Sequence, residues 1–494
     1  MLLMMAIGCS VGKRAQPIAL PQQALQAVAR ESLQDPLFDA KKIAPDHWWD
    51  LFGDRQLATF IKQAFSNNPT LHAARAKIFL AAAAAGKARS ALYPHLHWSS
   101  DVSRQKLSET AIIPFQDFAT TQSSEPIGAG TTAVIATGGV AGIPVYFTQY
   151  ETAFSSSYDF DLWGKNRNAL CAAKGEMYAT IADEAFSQLQ LGIAVARAYF
   201  RLQIAYQQRD VAKQLVDNRL ERQQIVQKRM QSLDNRLARQ AAETNTSVAK
   251  KRLLQIQADI IIAENQLRAY LAGNFQERIT PIDIAQKSLP SLPLPCNLPM
   301  HLLAHRPDIA AHLWLIKAAG KRIQVAQAGF YPDFNLSALL GFQTIHLKEL
   351  FKHPSMFFTA DPAVSLPFFD AGLLQANLYS SEAQYDITVF NYNEALIQAA
   401  KEVLDALALL RNGKQQLEEL SQQRTYEQQS LELAGLRLIH SINSRMDYLA
   451  SEEKLLLART QEIASMGEVW QAALSLIKAL GGYNSNGKDN DATS

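Results

Sequence analysis

Polar and apolar residues alternate one by one in four stretches of this chain. After Tyr93-Pro94, Leu96, Trp98, Ser100 and Val102 share one face, against His95, His97, Ser99, Asp101 and Ser103. Phe154, Ser156, Tyr158 and Phe160 oppose Ser155, Ser157, Asp159 and Asp161. Phe334, Leu336, Ala338, Leu340 and Phe342 oppose Asp333, Asn335 and Ser337; Ala360, Val364, Leu366 and Phe368 oppose Asp361, Ala363 and Ser365. A period of two predicts strands at about 95–105, 151–161, 333–343 and 358–369. Pro362 and Pro367 count against the last, because proline is confined to sheet edges, strand ends and bulges. Segments of this length fit either a half-buried sheet packed on helices or the strands of an outer-membrane barrel. Four strands cannot close a barrel, and an open edge cannot sit in lipid with its backbone groups unsatisfied. A membrane reading therefore requires several chains to share one barrel; three chains supply twelve strands.

Elsewhere the period changes. Proline is absent from Gly164 to Thr280, and again from Phe368 to the end. Val389, Tyr392, Leu396, Ala399, Val403, Ala406 and Leu410 alternate spacings of three and four, which predicts a coiled-coil seam. The matching seam of the first half, Ile181, Leu191, Val195, Ala198 and Leu202, is interrupted by Glu184 and Gln188. Long helices are expected over about 165–272 and 371–480. A helix from Lys165 to Arg229 runs roughly 100 Å at 1.5 Å per residue. Each stretch folds back at a turn, near "RMQSLDNR" (Arg229 to Arg236) and "HSINSRMD" (His440 to Asp447).

The chain is written twice. "NPTLHAARAKIFLAAAAAGKARSALYPHL" from Asn68 matches "RPDIAAHLWLIKAAGKRIQVAQAGFYPDF" from Arg306, with Pro69 against Pro307 and Tyr93 against Tyr331 at one separation. "DLWGKNRNA" matches "FDAGLLQAN", setting Gly164 against Gly372 at a shorter one. The first half therefore carries extra residues, around the loop-like "SSEPIGAGTTAVIATGGVAGIP". Repeats this long are a duplicated half-molecule rather than a solenoid. The organisation expected is an N-terminal remnant over 1–8, a tail and equatorial segment over 9–53, a first repeat over 54–288, a Pro-rich linker over 289–299, a second repeat over 300–483, and a disordered tail over 484–494.

Composition narrows the function classes. The chain has 494 residues, 48% hydrophobic and 19% charged, with net charge +2. Nothing in that balance, and no basic stripe with aromatics, points to nucleic acid. Cys9, Cys171 and Cys296 form no CxxC pair; a disulfide between the last two stays open. No Walker A loop, GxGxxG, HExxH or GxSxG is present, so no catalytic constellation and no cofactor is expected. His301, His305 and His312 allow a metal site or simply the polar side of a short helix, and the second is the expectation. No run of apolar residues is long enough for a transmembrane helix. The start, "MLLMMAIGCS", is similar to the end of a bacterial lipoprotein signal peptide, which makes Cys9 the lipidation candidate. It lacks a positive n-region, and Ala6 stands where leucine is usual; a truncated start accounts for the first.

Six motifs in order, with the duplication, give the chain its resemblance: "WWDLFGDRQL" at Trp48, "NNPTLHAA" at Asn67, "YDFDLWGKNR" at Tyr158, "LAHRPDIAA" at Leu303, "SLPFFDAGLLQA" at Ser365 and "LIKALGGY" at Leu476. The chain resembles an outer-membrane factor of the TolC family, in its lipoprotein (NodT) branch. That implies a mainly α fold with β: a homotrimer whose twelve-stranded outer-membrane barrel continues into a twelve-helix periplasmic tunnel. It implies strand-to-helix junctions at Gly164 and Gly372, where a residue without Cβ takes up a sharp change of direction. It implies an aromatic belt from Trp98, Tyr158, Phe160, Trp163, Phe334 and Phe368. The helical-hairpin tips, Ser232, Leu233, Asp234 and Asn235 with Ser441, Ile442, Asn443 and Ser444, become docking candidates for a periplasmic adaptor protein. The family's entrance, an apolar residue followed one turn later by an acid, falls on Met446 and Ala450. Ala450 departs from the pattern, and Asp447, Glu452 and Glu453 are the acids at hand for a ring that favours cations, Asp447 equally an ordinary solvated charge near a helix start. The implied function is a passive exit duct for small toxic compounds, fed by an adaptor and an inner-membrane pump of the RND type, with a covalent lipid on Cys9. A duct for protein secretion and a soluble coiled-coil scaffold are the alternatives.

Overall fold

The computed structural model describes residues 15–17, 38–39, 47–106, 146–228, 234–273, 279, 292–293 and 306–483. Helices α1 (Arg55–Asn67) and α2 (Pro69–Ser90) lead to strands β1 (His95–Lys106) and β2 (Tyr146–Phe160), then to α3 (Lys165–Lys228) and α4 (Asp234–Leu271). The order returns as α5 (Pro307–Ala328), β3 (Asp333–Thr344), β4 (Met356–Ser365), α6 (Leu373–Ile439) and α7 (Arg445–Ala479). The repeat is visible in the lengths: α2 and α5 each have 22 residues, and β1 and β3 each have 12. The four strands form one antiparallel sheet in the order β1-β2-β3-β4. Residues 38–39 and 292–293 form a separate short parallel pairing.

Two strand limits differ from those expected. β2 starts earlier, at Tyr146, and β4 spans Met356 to Ser365. Leu366 and Phe368 thus lie beyond the last strand, which stops just before Pro367, a residue unable to donate to a ladder. Pro362 stays inside β4, paired with Leu336, on a strand that is an edge of this chain's sheet, where proline is tolerated.

The chain divides into two compact bodies, one of residues 1–81, 175–316 and 386–494, the other of residues 82–174 and 317–385. Each body takes part of both repeats.

In the first body, sequence dictates the core directly. Asp54 caps α1, accepting from the amides of Gln56 (2.9 Å) and Leu57 (3.2 Å). That sets Leu57, Ile61 and Ala64 on one buried face. Trp48, Trp49 and Phe52 occupy a 3₁₀ turn ended by Gly53 in the left-handed region, φ +58°. The Phe52 ring packs on Phe200 of α3 and Trp470 of α7, centroids 5.3 and 5.4 Å away. The predicted seam on α6 is buried at every position from Val389 to Leu410. On α3 the seam is buried at Val195, Ala198 and Leu202 and partly buried at Leu191; Ile181 is exposed and Glu184 instead pairs with Arg75 at 3.2 Å.

Two of the quoted motifs meet at Arg306. Its Nε and Nη2 donate to the two Asp308 carboxylate oxygens (3.1 and 2.8 Å), and Nη1 donates to Glu402 Oε2 and the Ala479 carbonyl, both at 3.1 Å. A Cβ on Gly481 would stand 3.2 Å from the Arg306 Cα. The glycine of "LGGY" thus admits the arginine of "HRPDI".

Candidate functional site

The sheet has two chemically distinct faces, and the register keeps them so across all four strands. Trp98 lies opposite Phe154, Phe154 opposite Leu340, and Leu340 opposite Phe358. This apolar row continues into Phe160, Phe334 and Val364. The other face carries His97, Ser155, Asp159, Asn335 and Asp361; Asn335 Nδ2 donates to Asp159 Oδ1 at 2.7 Å. The apolar row is bare: Trp98 is 58% exposed, Phe154 51%, Leu340 50% and Phe358 74%. A soluble sheet packed on helices would bury these side chains, each worth about 1.5–3 kcal/mol. Here they need an apolar solvent. Strands of 10 to 15 residues are long enough, since about 9–11 tilted residues cross a hydrocarbon core. β1 and β4 have one unpaired edge each within the chain. Among the described residues no helix is long and apolar enough to cross a membrane.

The strand-to-helix junctions fall at the two predicted glycines, in the second body. Gly164 has φ +76° and Gly372 φ +90°, a region that disfavours any side chain. At the first junction the Asp161 carboxylate accepts from the amides of Asn166 (3.0 Å) and Arg167 (2.8 Å), capping α3. At the second, Asp370 accepts from the amides of Gly372 (3.0 Å) and Leu374 (2.7 Å). Those amide hydrogen bonds, Leu374 first, hold the Asp370 carboxyl below its ordinary pKa. Trp163 Nε1 donates to the Pro332 carbonyl at 2.8 Å, its ring stacks on Tyr331 at 4.7 Å, and Lys165 pairs with Asp333 at 3.1 Å. The end of the first strand pair is thereby tied to the start of the second. Tyr158 and Phe160 meet edge to face at 4.9 Å, with Phe334 opposite Phe160. Trp98 does not join that cluster: its rung crosses β2 at Phe154, and its Nε1 donates to Thr152 Oγ1 at 3.1 Å. Phe368 is almost wholly exposed.

The described hairpin turn lies in the first body, between α6 and α7. Ser441 takes φ +59°, closing α6. Ser444 and Asp447 form a reciprocal capping box on α7: the Ser444 amide donates to Asp447 Oδ2 at 2.9 Å, and the Asp447 amide donates to Ser444 Oγ at 3.3 Å. Asp447 therefore works as a helix cap. The neighbouring acids are engaged too. Glu452 accepts from Asn218 Nδ2 at 2.7 Å, and Glu453 pairs with Arg219 at 2.8 Å and with Arg222. Arg445 binds Glu221 through both carboxylate oxygens, at 2.7 and 3.0 Å, and lies over the Tyr448 ring. Those hydrogen bonds hold the Glu221 carboxyl below its ordinary pKa. Met446 and Ala450 are both partly buried. The acids nominated for a cation-favouring ring are thus matched to donors from α3 or to the helix start.

Sequence reasoning did not find the α3 partners Asn218, Arg219, Arg222 and Glu221, because nothing local links them to α7. Nor did it find Arg306, beyond its place in a motif, or the concave face around Arg197. Ser232 and Leu233, Cys9, Cys296, His301 and His305, residues 107–145 with the stretch expected as a loop, and most of the expected linker over 289–299 lie outside the described residues. So do the side chains of Asp234 and Asn235. Cys171 is an exposed free thiol. Among the described residues no group of three or more His, Cys, Asp or Glu is placed to hold a metal ion.

Comparison with known proteins agrees with this geometry. The model of a family described as outer membrane efflux protein matches residues 60–273 and 298–482. Multidrug resistance outer membrane protein MdtQ of Escherichia coli O157:H7 is 28% identical over 493 residues, covering 97% of this chain and 96% of that protein. Multidrug resistance outer membrane protein MdtP of Escherichia coli strain K12 is 26% identical over 447 residues, covering 88% and 86%. Among solved structures, outer membrane protein VceC from Vibrio cholerae superposes with a TM-score of 0.71 at 27% identity, over 89% of this chain and 99% of that one. The Campylobacter jejuni CmeC outer membrane channel gives a TM-score of 0.76 at 22% identity, over 90% and 89%.

Proposed function

This chain belongs to the outer membrane efflux protein family, and we propose that it is the outer-membrane exit duct of a tripartite efflux system, working as a homotrimer. The observation that carries the reading is the bare apolar row on a sheet with two open edges. One chain cannot satisfy those edges in lipid, and neighbours can. Helices α3, α4, α6 and α7 form the periplasmic tunnel, and transport energy comes from partners. A periplasmic adaptor docks at the hairpin tips, residues 232–235 and 441–444, and an inner-membrane pump of the RND type loads small toxic compounds. Cys9 carries the lipid anchor. Met446 and Ala450 line the entrance, while Asp447 caps α7.

Envelope fractionation, detergent extraction and light scattering corrected for detergent test this together. The expected species is in the outer membrane at about three times 54.7 kDa. A soluble monomer overturns the duct. Metabolic labelling with palmitate, lost in Cys9→Ser, tests the anchor separately.

A further inference from the structure

Helices α4, α3, α7 and α6 lie side by side in the first body. Tyr206 of α3 donates to Glu264 of α4 at 2.7 Å, Arg197 of α3 donates to Ser475 of α7 at 2.8 Å, and Arg424 of α6 pairs with Glu462 of α7 at 3.1 Å. All four helices contribute to a cavity of about 1110 Å³. That is ample for a drug-sized molecule, since ligand pockets run to roughly 300–1,000 Å³. On α3 the lining positions Ile193, Arg197, Arg201 and Ile204 recur at helical spacing. Tyr199 points elsewhere, to Asp54 at 2.9 Å, so the cavity and the Trp48–Phe52 segment take different sides of α3.

The charge in this cavity is lopsided. Arg197, Arg201 and Lys478 face one acid, Glu468. Lys478 leans on Glu402 at 4.0 Å. Neither arginine is in an ion pair among the described residues. Arg197 spends one nitrogen on the neutral Ser475 hydroxyl, and its buried Nε has no hydrogen-bond partner. Burial without a counter-charge pulls the Arg197 pKa below the ordinary arginine value. A desolvated guanidinium with an unused donor is costly. A carboxylate, or a sulfonate presenting two of its oxygens, answers both its charge and its geometry. Beside the two arginines, Ile204 and the exposed Leu409 supply an apolar wall.

We propose that this cavity is a contact site for organic anions with an aromatic or otherwise apolar body, the acid group on Arg197 and Arg201 and the body against Ile204 and Leu409. The assignment rests on the duct reading, since traffic through the helical tunnel brings the molecule there. It sets the charge preference of the duct at this belt, while the acids at the hairpin turn are already matched.

The full-length protein is reconstituted in planar bilayers and its current followed as 2-naphthalenesulfonate, then (2-naphthylmethyl)ammonium, is added. The sulfonate blocks at lower concentration than the ammonium. Losing the charge-assisted hydrogen bonds in Arg197→Gln/Arg201→Gln raises the half-blocking sulfonate concentration by roughly tenfold or more, while the ammonium blocks at the same or a lower concentration than before. Arg201→Gln alone, at an exposed position, shifts the block in the same direction and stands in if the double variant does not assemble. Equal block by the two ions, or a sulfonate response unmoved by the substitutions, overturns the site while leaving the pore. A wild-type protein that forms no pore overturns the duct and the site with it, a result that cannot be confused with an unselective pore.

Discussion

Arg306→Met removes the centre of the network that joins the start of α5, the middle of α6 and the end of α7. The Arg306 side chain is 3% exposed and serves two carboxylates and a carbonyl. Removing one partner of a buried pair costs about 3–5 kcal/mol, because the other charge is left stranded. Here the acids are less stranded than that. Asp308 and Glu402 are 21% and 28% exposed. Asp308 keeps the Ile309 amide at 3.0 Å and sits at the positive end of α5; Glu402 keeps Lys478 at 4.0 Å. Methionine also retains the apolar stem. The expected loss is therefore about 2–3 kcal/mol. Denaturant unfolding followed by helical circular dichroism measures it, at one fixed protein concentration because assembly is linked to stability. Pairing Arg306→Met with Glu402→Gln closes a double-mutant cycle, with coupling of about 1 kcal/mol or more expected. A single variant within about 0.5 kcal/mol of wild type, or a cycle with no coupling, refutes the network.

Asp447→Ala opens the capping box, costing about 1 kcal/mol, and speeds hydrogen exchange at the first amides of α7; exchange as slow as wild type contradicts the cap. Glu453→Gln leaves Arg219 and Arg222 without their acid and loosens α3 from α7, so pore conductance in bilayers rises; an unchanged current shows that this contact does not restrain the entrance. Burial raises the Asp183 carboxyl pKa, against the smaller lowering effects of His312 and Lys77. The folded state then holds the proton longer than the unfolded chain, so this group's contribution falls as pH rises from the ordinary aspartate range through the raised pKa. Asp183→Asn should stabilise the protein at neutral pH and lose that advantage in acid, as read from unfolding midpoints; the opposite trend removes the desolvation argument.

Much of this was legible because it is periodic. Alternation found all four strands, and the i, i+3/i+4 seam found the buried face of α6 position by position. The junction glycines were legible through the internal repeat. Their caps were not: with Gly164 against Gly372, Asp161 falls opposite Phe369, and the second cap comes from Asp370 one place later. The early start of β2 was hidden because "YFTQYET" mixes aromatic and polar residues without clean alternation. At the hairpin turn the acids were visible, but their partners are far away in sequence, and a charge does not announce whether it is solvated, capping or paired. Nothing local in the sequence marks Arg197 and Arg201 out from other helix cations; the four helices set an apolar wall beside them.

The two bare edges of the sheet have a further consequence, for assembly. They differ, so β1 of one copy meets β4 of the next, a head-to-tail contact. Each addition recreates the edge it consumed, as in polymer growth. Nothing in the edge chemistry says when to stop; only the rotation per chain does, by bringing the last edge round to the first. That rotation depends on how closely the strands approach and curl. Gly341 sets one such approach, for a Cβ there would stand 2.4 Å from the Thr152 carbonyl oxygen. A side chain at that position prises β2 from β3 and changes the angle at which each copy hands on to the next. Edges that close a ring would then seed an open-ended chain, and the size of the finished particle is a property of curvature rather than of affinity.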